Sequence, residues 1–278
     1  MSEIAKYVSP DVAKYQKVEG ISHEDIEKFK KNTQVVLMAG GLGSRFAEIE
    51  GVGEINKLAY KLPTGDTIIE TTIKMFKDAG LKDFVCLVYH KSESIQDVLG
   101  DGSKLGVNIK YSIDPGPFGK GGAVLNAVLN GTIDTNKSII MSNPDDIILD
   151  LPTFVDDIIK AHIYLEKHNH TITTLINSSG FQVSPTLMVV KDSIVQSSEK
   201  ECILPIPTHM GTIILSTKTY PHIKKIFDLN KKHHFENELF PYLLKEKLLG
   251  ATQIPYECWY PVNDLKSLNR LLEKLKSN

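Results

Sequence analysis

The stretch Gln34-Val35-Val36-Leu37-Met38-Ala39 is followed directly by Gly40-Gly41-Leu42-Gly43-Ser44-Arg45. Its first part is apolar and partly β-branched, which predicts a buried strand that ends as the glycines begin. The three glycines allow a sharp turn whose N–H groups converge on an anion, and an arginine adds a planar phosphate-binding fork. We therefore interpret the stretch as a nucleoside triphosphate loop, with nucleotide contacts from Ala39, Gly40, Gly41, Gly43, Ser44 and Arg45.

Two other phosphate-binding patterns do not fit this loop. The dinucleotide fingerprint requires a third glycine, which would fall at Phe46. The Walker-type loop requires Gly-Lys followed by Ser or Thr, and the nearest match, Gly119-Lys120, is followed by Gly121. The remaining pattern is a strand followed by Gly-Gly-x-Gly-Ser-Arg.

The composition excludes several classes of function. The chain has 278 residues and a net charge of −2, so it lacks the basic excess that nucleic-acid binding requires. Its three cysteines are widely spaced, which indicates neither a disulfide framework nor a zinc site. We find no membrane-spanning apolar run and no signal-peptide core, and we expect a cytoplasmic protein without a membrane partner. The basic run 231–234 is interpreted as a solvated helix end.

Strand-like and helix-like segments alternate as far as residue 168, which predicts parallel βαβ units in a three-layer α/β/α sandwich with a Rossmann-like, mainly parallel mixed sheet. Helices are predicted over 67–78, 122–129 and 152–168. After Thr171 short turns separate strand-like segments, and we expect antiparallel additions at 171–176, 185–190 and 211–216. Residues 1–32 are expected to form a helical extension, and residues 33–278 one catalytic domain.

Two further segments follow the glycine loop in the chain. The long irregular segment 46–61 contains Lys57, which we interpret as a lysine that returns over the triphosphate, with Lys61 as the alternative. The glycine-dense turn 114–123 opens a predicted helix and can press its backbone against a planar base. Its candidate contacts are Gly119, Lys120 and Gly121.

A pair of carboxylates, Asp145 and Asp146, ends an apolar strand. Packing alone does not explain two adjacent acids at the carboxyl end of a buried strand. Carboxylates in this position typically hold a hard cation such as Mg²⁺ together with substrate phosphates. Either aspartate is a candidate ligand, and a turn cap is the competing explanation for Asp146.

The order of these motifs resembles that of the sugar-phosphate nucleotidyltransferases, or nucleotide-sugar pyrophosphorylases. In that family a lysine, usually followed by proline, neutralises the transferring phosphates, and the resemblance assigns this role to Lys57 although Leu58 follows it. The glycine turn of the family holds the nucleobase and ribose. The family's metal-binding aspartate corresponds to Asp145, which leaves Asp146 as the alternative ligand or a supporting partner.

Three later motifs extend the resemblance. Glu199-Lys200 resembles the Glu-Lys dipeptide that contacts the sugar phosphate. The segment 208–212 resembles the Asn-x-Gly approach to the sugar, with His209 in place of asparagine and with Gly211 retained. Val262-Asn263-Asp264 is similar to the C-terminal motif of the bacterial UDP-N-acetylglucosamine pyrophosphorylase domain, which implies that Asn263 is the second Mg²⁺ ligand.

The resemblance implies a nucleotidyltransferase-type sheet and Mg²⁺-dependent transfer of a nucleotidyl group to a sugar 1-phosphate, with release of pyrophosphate. The catalytic residues would be Arg45, Lys57 and Asp145. UTP and a hexose or N-acetylhexosamine 1-phosphate are the favoured substrates, and a homo-oligomer is considered. The alternatives are a nucleotide-sugar-dependent glycosyltransferase and a non-catalytic regulatory homologue that binds nucleotide.

Overall fold

The computed structural model describes residues 18–43, 54–182, 186–200 and 203–277. Strands and helices alternate through most of these ranges. The strands are β1 (Thr33–Ala39), β2 (Asp83–Val88), β3 (Asn108–Ile113), β4 (Ser138–Ser142), β5 (Asp146–Ile148), β6 (Thr173–Ser178), β7 (Phe181–Gln182), β8 (Thr186–Lys191), β9 (Ile194–Lys200), β10 (Ile203–Leu204), β11 (Thr208–Leu215), β12 (Leu249–Ile254) and β13 (Trp259–Pro261). The α-helices are α1 (His23–Lys31), α2 (Ile68–Asp78), α3 (Ser92–Leu99), α4 (Gly119–Leu129), α5 (Phe154–Asn169), α6 (Tyr220–Ile226), α7 (Phe240–Lys245) and α8 (Leu265–Ser277).

The central sheet has seven strands in the described part of the chain, in the order β12-β6-β11-β4-β1-β2-β3. β1 pairs in parallel with β2 and with β4, while β11 pairs antiparallel with both β4 and β6. β1 is buried on both faces: Val35 and Leu37 belong to one hydrophobic cluster and Val36 to another. The first cluster includes residues of α2, α3, α5 and α8, and the second includes residues of α4, α6 and α7. The predicted three-layer α/β/α fold with a mainly parallel mixed sheet is confirmed.

Helix α2 illustrates how local sequence defines an element of this fold. The Thr67 side chain accepts a hydrogen bond from the Glu70 backbone N–H, and the Glu70 carboxylate accepts one from the Thr67 N–H at 2.7 Å. This capping box satisfies backbone donors that the first turn of a helix leaves unpaired. The buried side chains recur at helical spacing and face the sheet, namely Ile68, Ile69, Thr72, Ile73 and Phe76.

The predicted antiparallel additions are only partly found. β11 is antiparallel to its neighbours, but β6 runs parallel to β12 and in the same direction as β4. The expectation for 171–176 is therefore met on one side only, because β6 pairs antiparallel with β11 but parallel with β12. A long crossover helix, α5, precedes β6, and such a crossover returns the chain to the starting edge of the sheet, so that the next strand runs parallel. β8 and β9 form a separate two-stranded hairpin.

The described part of the N-terminal extension packs on the sheet unit. Ile21 and Ile26 lie in the same hydrophobic cluster as β1 and α2. Lys30 is 7% exposed, and its ammonium group lies 2.7 Å from the Asp156 carboxylate of α5 and 2.8 Å from Glu27. The boundary that we placed at residues 32 and 33 remains a prediction. No helix in the described ranges has the length and apolar character needed to cross a bilayer.

His162 on α5 provides a test of this core. Its ring is buried, with Nδ1 2.9 Å from the Thr174 hydroxyl, and burial lowers its pKa to about 4 from an ordinary 6.5. Because the folded state disfavours the protonated ring, this contribution to stability is complete above about pH 6.5 and is lost as pH falls toward 4. We expect a loss of about 2 kcal/mol in unfolding free energy between about pH 6.5 and about pH 5 from this group.

Urea unfolding of wild type and His162→Asn across this pH range measures the effect. The variant should be less stable at neutral pH but should have a shallower pH dependence. His168→Asn, an exposed histidine on the same helix, is the matched control and should keep the wild-type slope. If unfolding free energy varied equally with pH in wild type and in His162→Asn, the contribution assigned to His162 would be contradicted.

Candidate nucleotide-binding and active site

A pocket of about 600 Å³ lies along the carboxyl ends of the parallel strands. This edge is where open α/β sheets bind ligands. The segments that line the pocket include the glycine loop after β1, the end of β2, the turn that carries Lys57, the β3–α4 connection, the residues after β4, the segment 232–234 and the segment before α8. Of the predicted site residues, it includes Gly40, Gly41, Gly43, Lys57, Gly119, Lys120, Asp145 and Asn263.

The glycine loop begins directly after the buried residue Ala39. A Cβ at Gly40 would lie 3.2 Å from Tyr89 Cβ, so a side chain here would make a tight contact with the residue that follows β2. Gly43 has φ +61°, a conformation that glycine adopts at little cost. Ser44 and Arg45 lie outside the described residues, and their predicted phosphate contacts remain predictions.

Asn56 holds the lysine turn against the glycine loop. Its buried side-chain amide donates to the Ala39 carbonyl at 3.1 Å and to the His90 carbonyl at 3.0 Å. Its side-chain oxygen accepts from the Leu58 N–H at 3.0 Å, which caps the short 3₁₀ helix Lys57–Ala59. Local sequence patterns do not mark Asn56 as a site residue, because its role depends on partners remote in the chain.

Lys57 connects Asp145 with the segment that precedes Asn263. Its ammonium group forms an ion pair with the Asp145 carboxylate and donates to the Val262 carbonyl at 2.8 Å. The Val262 N–H in turn donates to the Asp145 carbonyl at 2.8 Å, which brings Asn263 beside the end of β4. By contrast, Lys61 is exposed, forms an isolated bridge with Thr67 and is not among the pocket-lining residues.

The neighbouring carboxylate, Asp146, is turned into the protein. Its oxygens accept from the Trp259 indole N–H at 2.9 Å and from the Asn143 amide at 3.1 Å. Burial, followed by the adjacent charge of Asp145, raises the pKa of Asp146 to about 7. The two acids therefore differ in setting: Asp145 lines the pocket, whereas Asp146 is committed to β13 and to Asn143.

The glycines of the β3–α4 connection accommodate a crossing segment. Gly119 has φ +71°, and a Cβ there would lie 2.5 Å from the His233 carbonyl oxygen. That carbonyl accepts from the Gly121 N–H at 3.0 Å, while the His233 N–H donates to the Phe118 carbonyl at 2.8 Å. The turn that we predicted to contact the base is therefore held in shape by backbone hydrogen bonds from a distant part of the chain.

The interpretation of 231–234 as a solvated helix end was wrong. His233 is buried, with Nδ1 2.8 Å from the Glu238 carboxylate and Nε2 accepting from the Asp228 N–H at 3.1 Å. Lys232 and His234 line the pocket on either side of it. Local pattern suggested a polar helix end because the buried partners of His233 are supplied by the tertiary fold.

Lys120 lies in the turn that we predict to contact the base. Its ammonium group is 3.7 Å from the Glu236 carboxylate. His209 is mostly buried, lies edge-on to the Phe240 ring at 5.6 Å and has Nδ1 3.2 Å from the Ile176 carbonyl. Burial lowers the pKa of His209, and the charge of Lys120 lowers it further.

The other acceptor-site candidates are separated in the fold. Gly211 follows in β11 beside Asn143, whereas Glu199 and Lys200 lie in β9 of the separate hairpin, where their side chains are outside what the structure describes. None of these positions, nor Ala39 or Gly121, belongs to the lining of the described pocket. Their predicted contacts with ligands remain predictions.

A family model described as nucleotidyl transferase matches residues 34–278. The chain belongs to the nucleotidyl transferase family. The resemblance noted in the sequence is thereby confirmed, as is the prediction that the protein is an enzyme of this family.

Two curated relatives and one solved structure show how this nucleotidyl transferase compares with known proteins. It is 28% identical over 208 residues to the D-glycero-alpha-D-manno-heptose 1-phosphate guanylyltransferase of Campylobacter jejuni, a match covering 74% of this chain and 84% of the relative. It is 36% identical over 87 residues to the low-salt glycan biosynthesis nucleotidyltransferase Agl11 of Haloferax volcanii, covering 30% of this chain but only 23% of that relative. The crystal structure of HddC from Yersinia pseudotuberculosis superposes with a TM-score of 0.61 at 21% identity, over 87% of this chain and 99% of the other.

Gly211 provides a test of the packing behind the active site of this nucleotidyl transferase. It has φ +79°, and a Cβ there would lie 1.9 Å from the Asn143 amide nitrogen and 3.0 Å from Asp146 Oδ2. We expect Gly211→Ala to displace Asn143 and to cost about 1–3 kcal/mol beyond the strain of a positive φ. Urea unfolding measures this cost, and a rate assay should show reduced turnover.

The chain supplies a matched control for this substitution. Gly131 has φ +77°, but a Cβ added there would meet no atom within 4 Å, so Gly131→Ala carries the backbone strain without the clash. Equal unfolding free energies for the two variants would show that the clash at Gly211 is relieved at no cost.

Proposed function

We propose that the protein catalyses Mg²⁺-dependent transfer of a nucleotidyl group from a nucleoside triphosphate to a sugar 1-phosphate, with release of pyrophosphate. The observation that carries this proposal is the meeting of Lys57, Asp145 and Asn263 in the pocket beside the glycine loop. These residues come from three distant segments of the chain and line the same pocket. The two relatives support the proposal, since one is named a nucleotidyltransferase and the other a sugar-phosphate guanylyltransferase.

The proposed reaction needs no side-chain nucleophile. A phosphate oxygen of the sugar 1-phosphate attacks the α-phosphorus of the triphosphate, the bond to the bridging oxygen breaks, and pyrophosphate leaves with that oxygen. The site has to hold two anions in line and to neutralise their charge. Lys57 and the converging N–H groups of the glycine loop suit the triphosphate, and Arg45 is proposed to act on the same side.

The side chains at the metal position fit Mg²⁺. Mg²⁺ prefers carboxylate, amide and phosphate oxygens, and Asp145 and Asn263 offer a carboxylate and an amide oxygen to one pocket. Asp145 already attracts a cationic group, the ammonium of Lys57. When bound, Mg²⁺ would supply positive charge to the phosphate oxygens. Asp146 supports the site by fixing β5 against β13 through its hydrogen bond with Trp259.

The acceptor side is proposed to comprise Glu199, Lys200, His209 and Gly211. Lys200 would pair with the attacking phosphate, and Glu199 would accept hydrogen bonds from sugar hydroxyls. The neutral form of His209, which its burial favours, can donate through Nδ1 to a backbone carbonyl while Nε2 accepts from a sugar hydroxyl.

The buried thiols of Cys86 and Cys258 are both free, which supports the proposed cytoplasmic location.

A pyrophosphate-release screen tests the proposal. Four nucleoside triphosphates are combined with a panel of hexose, heptose and N-acetylhexosamine 1-phosphates in the presence of Mg²⁺. At least one pair should give pyrophosphate and a nucleotide sugar in equal amounts. Release of nucleoside diphosphate from a nucleotide sugar would instead indicate a glycosyltransferase, and nucleotide binding without turnover would indicate a regulatory homologue.

Substitutions at Lys57 and Asp145 test the proposed roles directly. Lys57→Ala and Asp145→Ala should each lower turnover roughly a hundredfold, because one electrostatic contact to the reacting phosphates is worth on the order of 3 kcal/mol of barrier. Lys61→Ala is the control and should keep wild-type turnover. Circular dichroism should confirm that all three variants are folded, and wild-type rates in either active-site variant would defeat the assignment.

A further inference from the structure

We propose that Asp114 recognises a guanine base, so that the triphosphate used by this enzyme is GTP. The inference rests on the proposed function, because it assumes that the pocket holds a nucleotide whose phosphates lie beside Lys57. GTP replaces UTP, the nucleotide that the family resemblance in the sequence favoured. Base selection is assigned to Asp114, which is not one of the predicted base contacts Gly119, Lys120 and Gly121.

The sheet order fixes which end of the pocket receives the base. Asp145 follows β4, the glycine loop follows β1, and Asp114 directly follows β3. β4, β1, β2 and β3 are successive neighbours, so the ends of β4 and β3 are three strand spacings, about 14 Å, apart. From the ends of β4 and β1 the pocket continues past the end of β2 to the β3–α4 connection, and among the described residues it includes none of β6 or β11, so the room for the base lies toward β3.

The β3 end of the pocket has the character of a base-binding slot. Between the glycine loop and the β3–α4 connection, the pocket includes the apolar side chains of Met38 on β1, Leu87 on β2 and Ala123 on α4. Asp114 lines the same pocket and is only 8% exposed. An acid in an apolar slot is costly to bury unless it has hydrogen-bond donors, so its presence needs a chemical explanation.

The partners of Asp114 within the protein leave it with unused capacity. Its Oδ1 accepts from the Asn126 amide at 2.9 Å, and its backbone N–H donates to the Val88 carbonyl at 2.9 Å. Within the described part of the chain the carboxylate accepts no other hydrogen bond. A carboxylate can accept about four hydrogen bonds, so Oδ2 and the second lone pair of Oδ1 are available to a ligand.

Guanine is the base whose edge matches this acceptor. It presents two adjacent donors, N1–H and the 2-amino group, which can bind the two oxygens of one carboxylate. Uracil and thymine present one donor between two carbonyl oxygens, which a carboxylate repels. Adenine and cytosine place a ring-nitrogen acceptor beside their amino group. Burial raises the pKa of Asp114, but the Asn126 amide favours the charged form that this recognition requires.

Equilibrium binding with a panel of triphosphates tests the proposal. Binding of GTP, ITP, XTP, UTP, CTP and ATP is measured by calorimetry with Mg²⁺ and without sugar phosphate, so that the readout does not depend on turnover. GTP should bind roughly tenfold more tightly than ITP, which lacks the 2-amino group, and on the order of a hundredfold more tightly than UTP. Tighter binding of UTP, CTP or ATP than of GTP would overturn the proposal.

Asp114→Asn provides the second arm of the experiment. The asparagine oxygen can keep the hydrogen bond from Asn126, and its amide group then faces the base, where it opposes the guanine donors. The variant should lose roughly ten- to a hundredfold in GTP affinity and should gain affinity for XTP, whose 2-oxo group accepts a hydrogen bond. Asp97→Asn, on the exposed face of α3, is the matched control.

The outcomes separate this inference from the proposed function. A variant that keeps the wild-type preference for GTP over XTP would contradict the role of Asp114. Selective GTP binding without pyrophosphate release under any combination of substrates would support the base assignment and reject the proposed reaction. Pyrophosphate release with UTP but not with GTP would support the proposed reaction and reject the base assignment.

Discussion

The contact on which the site depends is the three-way junction of Lys57, Asp145 and Val262. Lys57 binds the Asp145 carboxylate and the Val262 carbonyl, while the Val262 N–H binds the Asp145 carbonyl. The side chains of Lys57 and Asp145 are 14% and 23% exposed. In such a mostly buried pair, removing one partner leaves the other charge poorly compensated. The junction therefore makes the active-site geometry depend on the register of β5 with β13, which places Asn263 beside Asp145.

Close backbone approaches organise the rest of the pocket in the same way. The backbone at Gly40 lies close to Tyr89, that at Gly119 lies close to the His233 carbonyl, and that at Gly211 lies close to the Asn143 side chain. A side chain at Gly119 or Gly211 would displace the atoms that now lie there, and one at Gly40 would make a tight contact with Tyr89. The glycines thus bring the backbone close to other parts of the protein.

The sequence allowed the layered fold and the main site motifs to be predicted because their signals are local. The capping box of Thr67 and Glu70 and the apolar spacing of α2 lie within one helix, and the carboxylate pair follows its own strand. The direction of β6 and the burial of His233 depend on partners distant in the chain, which local patterns do not reveal. Asn56 is a similar case, since it bonds to Ala39 and His90 only after the loops have come together.

The central claim is that this pocket grips a triphosphate between the glycine loop and the Lys57–Asp145–Asn263 cluster. A crystal structure with Mg²⁺ and a non-hydrolysable triphosphate tests it most directly. Phosphate oxygens should lie within hydrogen-bond distance of the Gly41 to Gly43 backbone, and Asp145 and Asn263 should share one Mg²⁺ ion. Phosphates bound away from Gly41, or Asp145 and Asn263 too far apart to share an ion, would contradict it.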